Sequence, residues 1–467
     1  DIYEQFIAKT IVISDQNNPE LEIKPEVKAA NGVYTTPGFI VKHIISSSLK
    51  EISKNNLDQI RITTVADIAC GSGIFLVEAY QYLLDLLLNK YIEEGKSKFL
   101  RKDDNGDYLL TLEERKRILL DQIFGVDIDE QAVEVAKFSL LLKVIEDVPK
   151  GEIDVNLSKG HKALPLLESN IKCGNSLISN EYYKFKKSES IDDTELHQIK
   201  PFEWKSAFPK VFDSYKGFNV VVGNPPYTKI QNIIHYSPRE ADFYKSQYSS
   251  YLSSKSNNFD KYQLFIERGL SLLQNDGLLG FIVPHKFTTI RAGEPIRELI
   301  ASNKYLQEYV NFGTLQIFGN KSTTYTCIVL LRKSKIDNFE FTKVDNLLNW
   351  EKSPNKNNIN YSSETITKDP WILVSKQERE LLDRLEQSAT KRLGDPEISE
   401  IFVGLQTSAD DIYIFNPLDV SDVEIKFEDI DGKVRKIERG ICKEAILDQS
   451  IHYFENLNDN RYIIFPY

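Results

Sequence analysis

The sequence predicts an α/β fold, in which a Rossmann-like mixed sheet lies between helices, followed by a second, α+β domain. From about Thr63 to Leu331, short runs of β-forming apolar residues alternate with longer segments of helical periodicity, which is typical of a largely parallel sheet. A polar, Asn- and Ser-rich stretch follows, and then a new helix and β-rich sequence. We therefore predict a first domain over residues 1–335 with a helical lead-in, a linker over 336–368 and a second domain starting in 369–467.

The strands and helices of the first domain follow from hydrophobic periodicity. The candidate strands are TTVADI, IFGVDI, NIKCGN, FNVVVGN, GLLGFIV and TTYTCIVLL. Helices are predicted over Phe75–Tyr91, Glu130–Lys143 and Asp260–Leu273. The charged segment Glu93–Asp121 is interpreted as a helical insertion. The polar segments 179–209 and 228–258 are predicted to be long surface loops, which in compact domains usually carry function.

The composition is that of a globular protein in water, with 41% hydrophobic and 27% charged residues among 467. No uncharged apolar run approaches the roughly 18 to 20 residues of a membrane helix. The 58 basic and 69 acidic residues give a net charge of -11, which disfavours nucleic acid overall but is compatible with a basic cleft. The four cysteines are far apart, so we expect neither a disulfide framework nor a metal site.

Three predicted strand ends carry polar residues that together indicate a nucleotide-like pocket. In ADIACGSGIFLVEA, Gly71 and Gly73 permit a tight turn from strand to helix, and the helix start offers free backbone N–H groups. The next strand ends at Asp127, where a carboxylate can accept hydrogen bonds from two ribose hydroxyls. A further strand ends at Asn175, which suits the edge of an adenine. Each residue alone is equally compatible with an ordinary turn or helix cap, whereas three together favour ligand binding.

The stretch VVVGNPPYTKI ends a strand with Asn-Pro-Pro-Tyr, a pattern suited to activating an aromatic amine. The exocyclic amine of a nucleobase is a weak nucleophile because its lone pair is delocalised into the ring. The side-chain oxygen of Asn224 and the carbonyl of Pro225 can accept both N–H groups, and proline fixes the direction of that carbonyl. Tyr227 offers a flat face for a base withdrawn from its duplex. A plain turn explains the prolines but neither the Asn nor the Tyr.

Seven segments in chain order resemble the motifs of amino-DNA methyltransferases: VYTTP, ADIACGSG, GVDIDE, GNSLI, VVGNPPY, FDKYQLFIERGLSLLQNDGLLGFIVPHKF and IFGNKSTTYTCIVLL. Over Tyr3 to about Leu331 they are most similar to the TaqI-like N6-adenine group and to the methyltransferase half of type IIG restriction-modification enzymes. The resemblance implies a cytoplasmic prokaryotic enzyme that flips an adenine out of double-stranded DNA and methylates its N6 from S-adenosyl-L-methionine, with no metal. ISEIFVGLQTSADDIYIF and RYIIFPY resemble pieces of the group's target recognition domain.

The resemblance also implies roles for individual residues. The cofactor S-adenosylmethionine would be bound by Tyr34, Thr36, Pro37, Asp67, Ala69, Gly71, Asp127 and Asn175. The flipped adenine would be bound by Asn224, Pro225, Pro226 and Tyr227, with Phe318 packing against it. The family's first motif usually reads Asp-Pro-Ala-Cys, and here Ile68 replaces the proline, a conservative departure that leaves the cofactor assignment intact.

Two other functions stay open on the residues alone. N4-cytosine methylation uses the same amine chemistry, although its signature more often begins with Ser than Asn. A catalytically silent DNA-binding fragment is the other alternative, and it leaves the cofactor positions unexplained. Transfer to cytosine C5 is excluded, because it needs a cysteine nucleophile, usually after proline, and no Pro-Cys occurs. The basic residues Lys229, Arg239 and Lys245 are candidate contacts to the DNA backbone.

The ends of the chain predict a piece of a longer protein. It begins at Asp1 without an initiator methionine or a secretory leader. A nuclease domain, which precedes the methyltransferase in type IIG enzymes, is expected on the missing part of the same chain. The recognition domain is expected to continue beyond RYIIFPY.

Overall fold

The computed structural model describes residues 9–13, 19–23, 35–149, 151, 164–186, 193–256, 258–318, 324–354, 356, 358–374, 376–391, 395, 397–399, 410–445 and 461–465. The chain divides into two compact units, Asp1–Arg379 and Glu380–Tyr467.

The described strands, numbered in chain order, are β1 (Lys9–Ile13), β2 (Pro19–Ile23), β3 (Val65–Asp67), β4 (Leu100–Lys102), β5 (Tyr108–Leu110), β6 (Ile123–Asp127), β7 (Ile171–Cys173), β8 (Phe218–Gly223), β9 (Leu273–Pro284), β10 (Leu306–Asn311), β11 (Thr326–Arg332), β12 (Asn338–Lys343), β13 (Ile359–Ser362), β14 (Ile414–Phe415), β15 (Pro417–Val420), β16 (Glu424–Glu428), β17 (Val434–Glu438), β18 (Cys442–Ala445) and β19 (Arg461–Ile464).

The described α-helices are α1 (Gly38–Leu49), α2 (Leu57–Arg61), α3 (Ile74–Glu93), α4 (Leu112–Gln122), α5 (Glu130–Ile145), α6 (Glu181–Phe185), α7 (Asp193–Ile199), α8 (Trp204–Ala207), α9 (Pro209–Ser214), α10 (Ile230–Tyr236), α11 (Pro238–Lys245), α12 (Lys261–Leu272), α13 (Glu294–Asn303), α14 (Leu347–Lys352), α15 (Lys376–Ser388) and α16 (Asp410–Tyr413).

The first unit is built on a nine-stranded sheet in the order β13-β12-β10-β11-β9-β8-β3-β6-β7. The strands from β7 to β9 in this order run parallel to one another. Strand β11 is antiparallel to both of its neighbours, β9 and β10. The chain leaves β3 towards β6 and β7 on one side and later forms β8 and β9 on the other. The order therefore reverses between β3 and β8, where ligands bind at the carboxyl ends of the strands in open α/β sheets.

Two buried layers cover the faces of this sheet. Along β8, Val221 packs in one cluster of buried side chains, whereas Val220 and Val222 pack in the other. Because successive side chains of a strand point to opposite faces, a strand covered on both sides is apolar at nearly every position. This explains the run FNVVVG, which is apolar except at Asn219, and fixes the strand end that follows it.

The α/β class is confirmed, with a mixed parallel and antiparallel sheet and additional small sheets beyond it. The predicted helices occur as α3, α5 and α12, and the Asp129 side chain caps α5 by accepting from the backbone N–H of Gln131 at 2.9 Å. The expected helical insertion over Glu93–Asp121 contains a hairpin, β4 with β5, before helix α4.

Other expectations from the sequence were wrong. The segment 228–258, expected to be a surface loop, forms α10 and α11 and buries Phe243 and Tyr244. The segment 179–209, also expected to be a loop, contains α6, α7 and α8 among its described residues. In both segments, aromatic side chains enter the core between polar residues that face outward.

The expected linker over 336–368 is part of the main sheet, because β12 pairs with β10 and β13 pairs with β12. Beyond it, the Trp371 ring packs edge-on against Phe287 and Tyr309 in the core of the first unit. The compact unit thus extends past the expected start of the second domain, to Arg379. The second unit contains two three-stranded sheets, β14-β19-β18 and β15-β16-β17.

None of the helices in the described ranges is both long and apolar enough to span a bilayer. Within the same ranges, no three His, Cys, Asp or Glu side chains gather as a metal-ligand group.

Candidate active site

A cavity of about 310 Å³ opens at the carboxyl ends of β3, β6, β7 and β8, at the point where the strand order reverses. Its wall includes most of the residues predicted as site residues: Thr36, Asp67, Ala69, Gly71, Asp127, Asn175, Asn224, Pro225, Pro226, Tyr227 and Phe318. The first unit thus brings side chains from distant parts of the sequence into one space.

Five predicted residues are not on this wall or are not described. Tyr34 lies outside the described residues. Pro37 precedes α1, and its carbonyl accepts the backbone N–H of Ile40 at 2.9 Å. Lys229, Arg239 and Lys245 are exposed, immediately before or within α10 and α11.

The turn after β3 uses glycine twice to bring its backbone to the cavity. Gly71 and Gly73 adopt φ of +50° and +87°, values that side chains with a Cβ rarely adopt. A Cβ on Gly73 would also lie 3.0 Å from the Cβ of Ala136. The backbone N–H of Gly71 donates to Asp127 Oδ2 at 2.8 Å, so the turn and the end of β6 are tied together.

Asp127 is held by backbone donors on both carboxylate oxygens. Oδ2 accepts from Gly71, and Oδ1 accepts from the N–H of Asp129 at 2.9 Å. Asp127 also lines the cavity, and carboxylate oxygens are acceptors that suit ligand hydroxyls. The position of the carboxylate is therefore fixed before any ligand arrives.

Asp67 is a second carboxyl group at the cavity, and it is deeply buried. Its Oδ1 accepts from the backbone N–H of Ala69 at 3.0 Å. Burial, with a smaller contribution from the nearby Asp127, raises the pKa of Asp67 to about 8. Gly223 passes so close that a Cβ there would lie 2.6 Å from Asp67 Oδ1. The end of β8 is thus packed directly against this carboxyl group.

Asn175 follows β7 and is 3% exposed. Its Oδ1 accepts from the backbone N–H of Leu177 at 3.1 Å and of Ile178 at 3.3 Å. The side chain therefore stabilises the turn at the cavity wall. This is the capping role that the sequence allowed as an alternative to ligand binding.

Sequence reasoning missed the wall formed by Tyr236, Lys261 and Phe265. Lys261 and Phe265 are four residues apart on α12, so they lie on one face of that helix. The Lys261 Nζ is 2.7 Å from Glu240 Oε1, and both side chains are buried. Burial alone would raise the pKa of Glu240, but Lys261 lowers it to a value below that of an ordinary glutamate. The helical spacing in FDKYQLF was the available signal for this face.

Asn224 lies directly after Gly223, which turns the end of β8 with φ of +150°. Its amide is fixed by two hydroxyl groups. Asn224 Nδ2 donates to Thr36 Oγ1 at 3.1 Å, and the Tyr227 hydroxyl donates to Asn224 Oδ1 at 2.6 Å. The same Tyr227 hydroxyl lies 3.1 Å from the carbonyl oxygen of Ile282, a second acceptor for its proton.

Tyr227 and Phe318 form an aromatic pair at the cavity. Their ring centroids are 6.5 Å apart and their planes are inclined by 60°. Burial raises the pKa of the Tyr227 hydroxyl well above its usual value, with Cys327 adding to the effect, so the group keeps its proton. The site therefore combines flat apolar faces with neutral hydrogen-bonding groups at one end and carboxyl groups at the other.

The chain is similar in sequence to known restriction-modification proteins. The chain is 34% identical to the type II restriction enzyme and methyltransferase RM.Eco57I of Escherichia coli, over all of this chain and 45% of that protein. It is 30% identical to the type II methyltransferase M.BstVI of Geobacillus stearothermophilus, over 44% of this chain and 39% of that protein. The chain thus spans less than half the length of these curated relatives.

The fold is shared with the ATP-dependent type ISP restriction-modification enzyme LlaBIII, solved bound to DNA. The TM-score is 0.51 at 16% identity, over 83% of this chain and 25% of that chain. The family model of the Eco57I restriction-modification methylases matches residues 121–318, which contain Asp127, Asn224 and Phe318. Over this segment the chain is therefore similar to the Eco57I restriction-modification methylases.

Proposed function

We propose that this chain transfers a methyl group from S-adenosylmethionine to N6 of an adenine flipped out of duplex DNA. The observation that carries the proposal is the end of β8, where Asn224 and Pro225 face the same cavity as the Asp127 carboxylate. The two acceptors for an amine thus line the same cavity as a carboxylate that can bind the ribose of a nucleoside. The match of residues 121–318 to a methylase family model supports the reaction type.

The residues present fit the cofactor. Both oxygens of Asp127 are fixed by backbone donors, and the carboxylate lines the cavity, where it suits hydrogen bonds from ribose hydroxyls. Asp67 lies near the turn at Gly71 and offers a carboxyl group to the cationic end of the molecule. The volume of about 310 Å³ lies within the range of small-molecule sites.

The residues of β8 prepare the nucleophile. The Asn224 oxygen and the Pro225 carbonyl accept the two N–H groups of the adenine amine, which localises its lone pair on nitrogen. When bound, the cofactor supplies a methyl group on a positively charged sulfur, which becomes a neutral thioether as the nitrogen–carbon bond forms and the amine releases a proton to water. Tyr227 stacks on the base and Phe318 packs beside it.

Duplex DNA is the proposed partner. Lys229, Arg239 and Lys245 are exposed near α10 and α11, in the part of the chain that follows Tyr227. Their charges suit phosphate contacts, which set the position of a protein on DNA without reading its sequence. The names of RM.Eco57I and LlaBIII support assignment to a restriction-modification system.

Methyl transfer from tritiated S-adenosylmethionine to unmethylated genomic DNA tests the proposal, with the whole natural protein as the enzyme. Asn224→Ala removes one acceptor, and we expect a loss of about 100-fold or more in kcat, as for other preorganised hydrogen-bond groups. Asn105→Ala, in the exposed turn between β4 and β5, is the matched control and should retain full activity.

Equal incorporation by wild type and Asn224→Ala would refute the role of this residue. Digestion of the product DNA to nucleosides identifies the methylated base. N6-methyladenine in the product supports the proposal. N4-methylcytosine would show that the target amine belongs to cytosine instead of adenine.

A further inference from the structure

We propose that Thr36 is a positioning residue that fixes which way the Asn224 amide faces, and that the carboxylate of the bound cofactor sets this orientation. The inference rests on the proposed function and extends it. It assigns to Thr36 an action on the amine acceptor, in addition to its place in the cofactor pocket.

The orientation of Asn224 decides whether the site is competent. The two ends of an amide have nearly the same shape, but one accepts hydrogen bonds and the other donates them. With Oδ1 towards the target amine, the side chain accepts its N–H group. With the amide reversed, two donors would face each other, and the amine would lose an acceptor.

Two hydroxyl groups hold the amide in the accepting orientation. Thr36 Oγ1 accepts from Asn224 Nδ2 at 3.1 Å, across 188 positions of the sequence. Tyr227 donates to Asn224 Oδ1 at 2.6 Å. Thr36 is 3% exposed, so this contact is shielded from bulk water.

Hydroxyl groups alone do not determine the orientation, because each can donate or accept. On the Tyr227 side, the carbonyl of Ile282 lies 3.1 Å from the hydroxyl and attracts its proton. If the Tyr227 hydroxyl donates to the Ile282 carbonyl instead of to Asn224, the Tyr227 oxygen can accept from a reversed Asn224 amide. The polarity must therefore be set from the Thr36 side.

A group that only accepts would set the polarity at Thr36. Among the described residues, the Thr36 hydroxyl donates to no partner, and Thr36 lies on the cavity wall. The carboxylate of S-adenosylmethionine is such an acceptor. If this carboxylate accepted a hydrogen bond from the Thr36 hydroxyl, the Thr36 oxygen would be left to accept from Asn224 Nδ2, and Asn224 Oδ1 would face the target amine. Cofactor binding thereby prepares the acceptor.

The test compares Thr36→Val, which removes the hydroxyl at constant shape, with Thr36→Ser, which keeps it. Steady-state methyl transfer to unmethylated genomic DNA is measured with the whole natural protein at saturating cofactor. We expect kcat to fall roughly 10- to 100-fold in Thr36→Val and to stay within about threefold of wild type in Thr36→Ser. Unfolding transitions of both variants establish that they fold.

A second arm leaves the protein unchanged and removes the carboxylate from the methyl donor. Decarboxylated S-adenosylmethionine should lower the kcat of wild type by a factor similar to that of Thr36→Val. The two changes should not add, because both interrupt the same chain of hydrogen bonds.

Each outcome bears on the proposal. A raised KM for the cofactor with an unchanged kcat in Thr36→Val would show that Thr36 serves binding alone, and would overturn the inference while the proposed function stands. Additive losses in the second arm, or failure of Thr36→Ser to restore kcat, would also overturn it. Absence of methyl transfer by wild type would remove the proposed function and this inference together.

Discussion

The two sides of the cavity satisfy their polar groups in different ways. On the β6 side, the Asp127 carboxylate is held by the backbone N–H groups of Gly71 and Asp129. On the β8 side, the Asn224 amide is held by the hydroxyls of Thr36 and Tyr227. Backbone N–H groups can only donate, whereas hydroxyls donate or accept. The direction of the hydrogen bonds is therefore fixed on the β6 side, whereas on the β8 side a ligand can set it.

The largest expected effect on stability is at β3, the strand between β6 and β8, where Gly223 of β8 lies against Asp67. In Gly223→Ala, the new Cβ would lie 2.6 Å from Asp67 Oδ1, and the φ of +150° is unfavourable for alanine. Backbone strain and overpacking each cost about 1 to 3 kcal/mol, so we expect the free energy of unfolding to fall by about 4 kcal/mol. Urea denaturation measures this difference.

Gly71→Ala is the matched control, because Gly71 also has a positive φ, of +50°, but no atom within 4 Å of a new Cβ. It should cost only about 1 to 2 kcal/mol, the strain of the left-handed backbone. Equal losses in the two variants would mean that the close contact with Asp67 contributes nothing.

The sequence predicted the parts of this site that depend on local patterns. Strand ends are recognisable because an apolar run stops at a polar residue, and this pattern predicts Asp127, Asn175 and Asn224 as site residues. The structure brings these three ends to one cavity. Their order in the sheet follows from connections between neighbouring parallel strands, which an α/β pattern predicts in outline.

Contacts between residues far apart in the sequence do not follow from local patterns. The hydrogen bond between Thr36 and Asn224 spans 188 positions, and no periodicity links its two ends. Polar residues dominate the composition of segment 228–258 and so predict a loop, although Phe243, Tyr244 and Tyr251 are buried there. The strands β12 and β13 were missed because they lie at one edge of the sheet, where exposed residues alternate with buried ones.

A smaller effect is expected from Asp127→Asn, which breaks the fixed polarity of the β6 side. The amide that replaces the carboxylate must turn its NH₂ group towards a backbone donor, either Gly71 or Asp129. We expect cofactor affinity to fall by about 2 to 3 kcal/mol, which is roughly 30- to 150-fold, because the amide has a single acceptor oxygen and leaves one ribose hydroxyl without an acceptor. Calorimetric titration with S-adenosylmethionine measures the dissociation constant.

Asp129→Asn is the control for this change. Asp129 accepts from the backbone N–H of Gln131 as the cap of α5, and asparagine serves equally well as a cap. Its affinity for the cofactor should stay within about twofold of wild type, since RT ln 2 is only about 0.4 kcal/mol. A loss as large as that of Asp127→Asn would point to net charge, rather than hydrogen-bond polarity, as the cause.

The smallest expected effect is the release of a proton by Asp67 when the cofactor binds. Asp67 ends β3, the strand between β6 and β8. Burial, with a contribution from Asp127, raises the pKa of Asp67 to about 8, so the group is mostly protonated at pH 7. A bound cation favours its ionised form and lowers that pKa, so cofactor binding at pH 7 should release up to one proton, and affinity should increase as the pH rises towards 8. Calorimetry of S-adenosylmethionine binding in phosphate and in Tris buffer counts the protons from the difference in measured enthalpy.

In Asp67→Asn, which cannot ionise, the two buffers should give the same enthalpy. A proton count that is the same in wild type and Asp67→Asn would exclude Asp67 as the source, and would place the cation of the cofactor away from this carboxyl group.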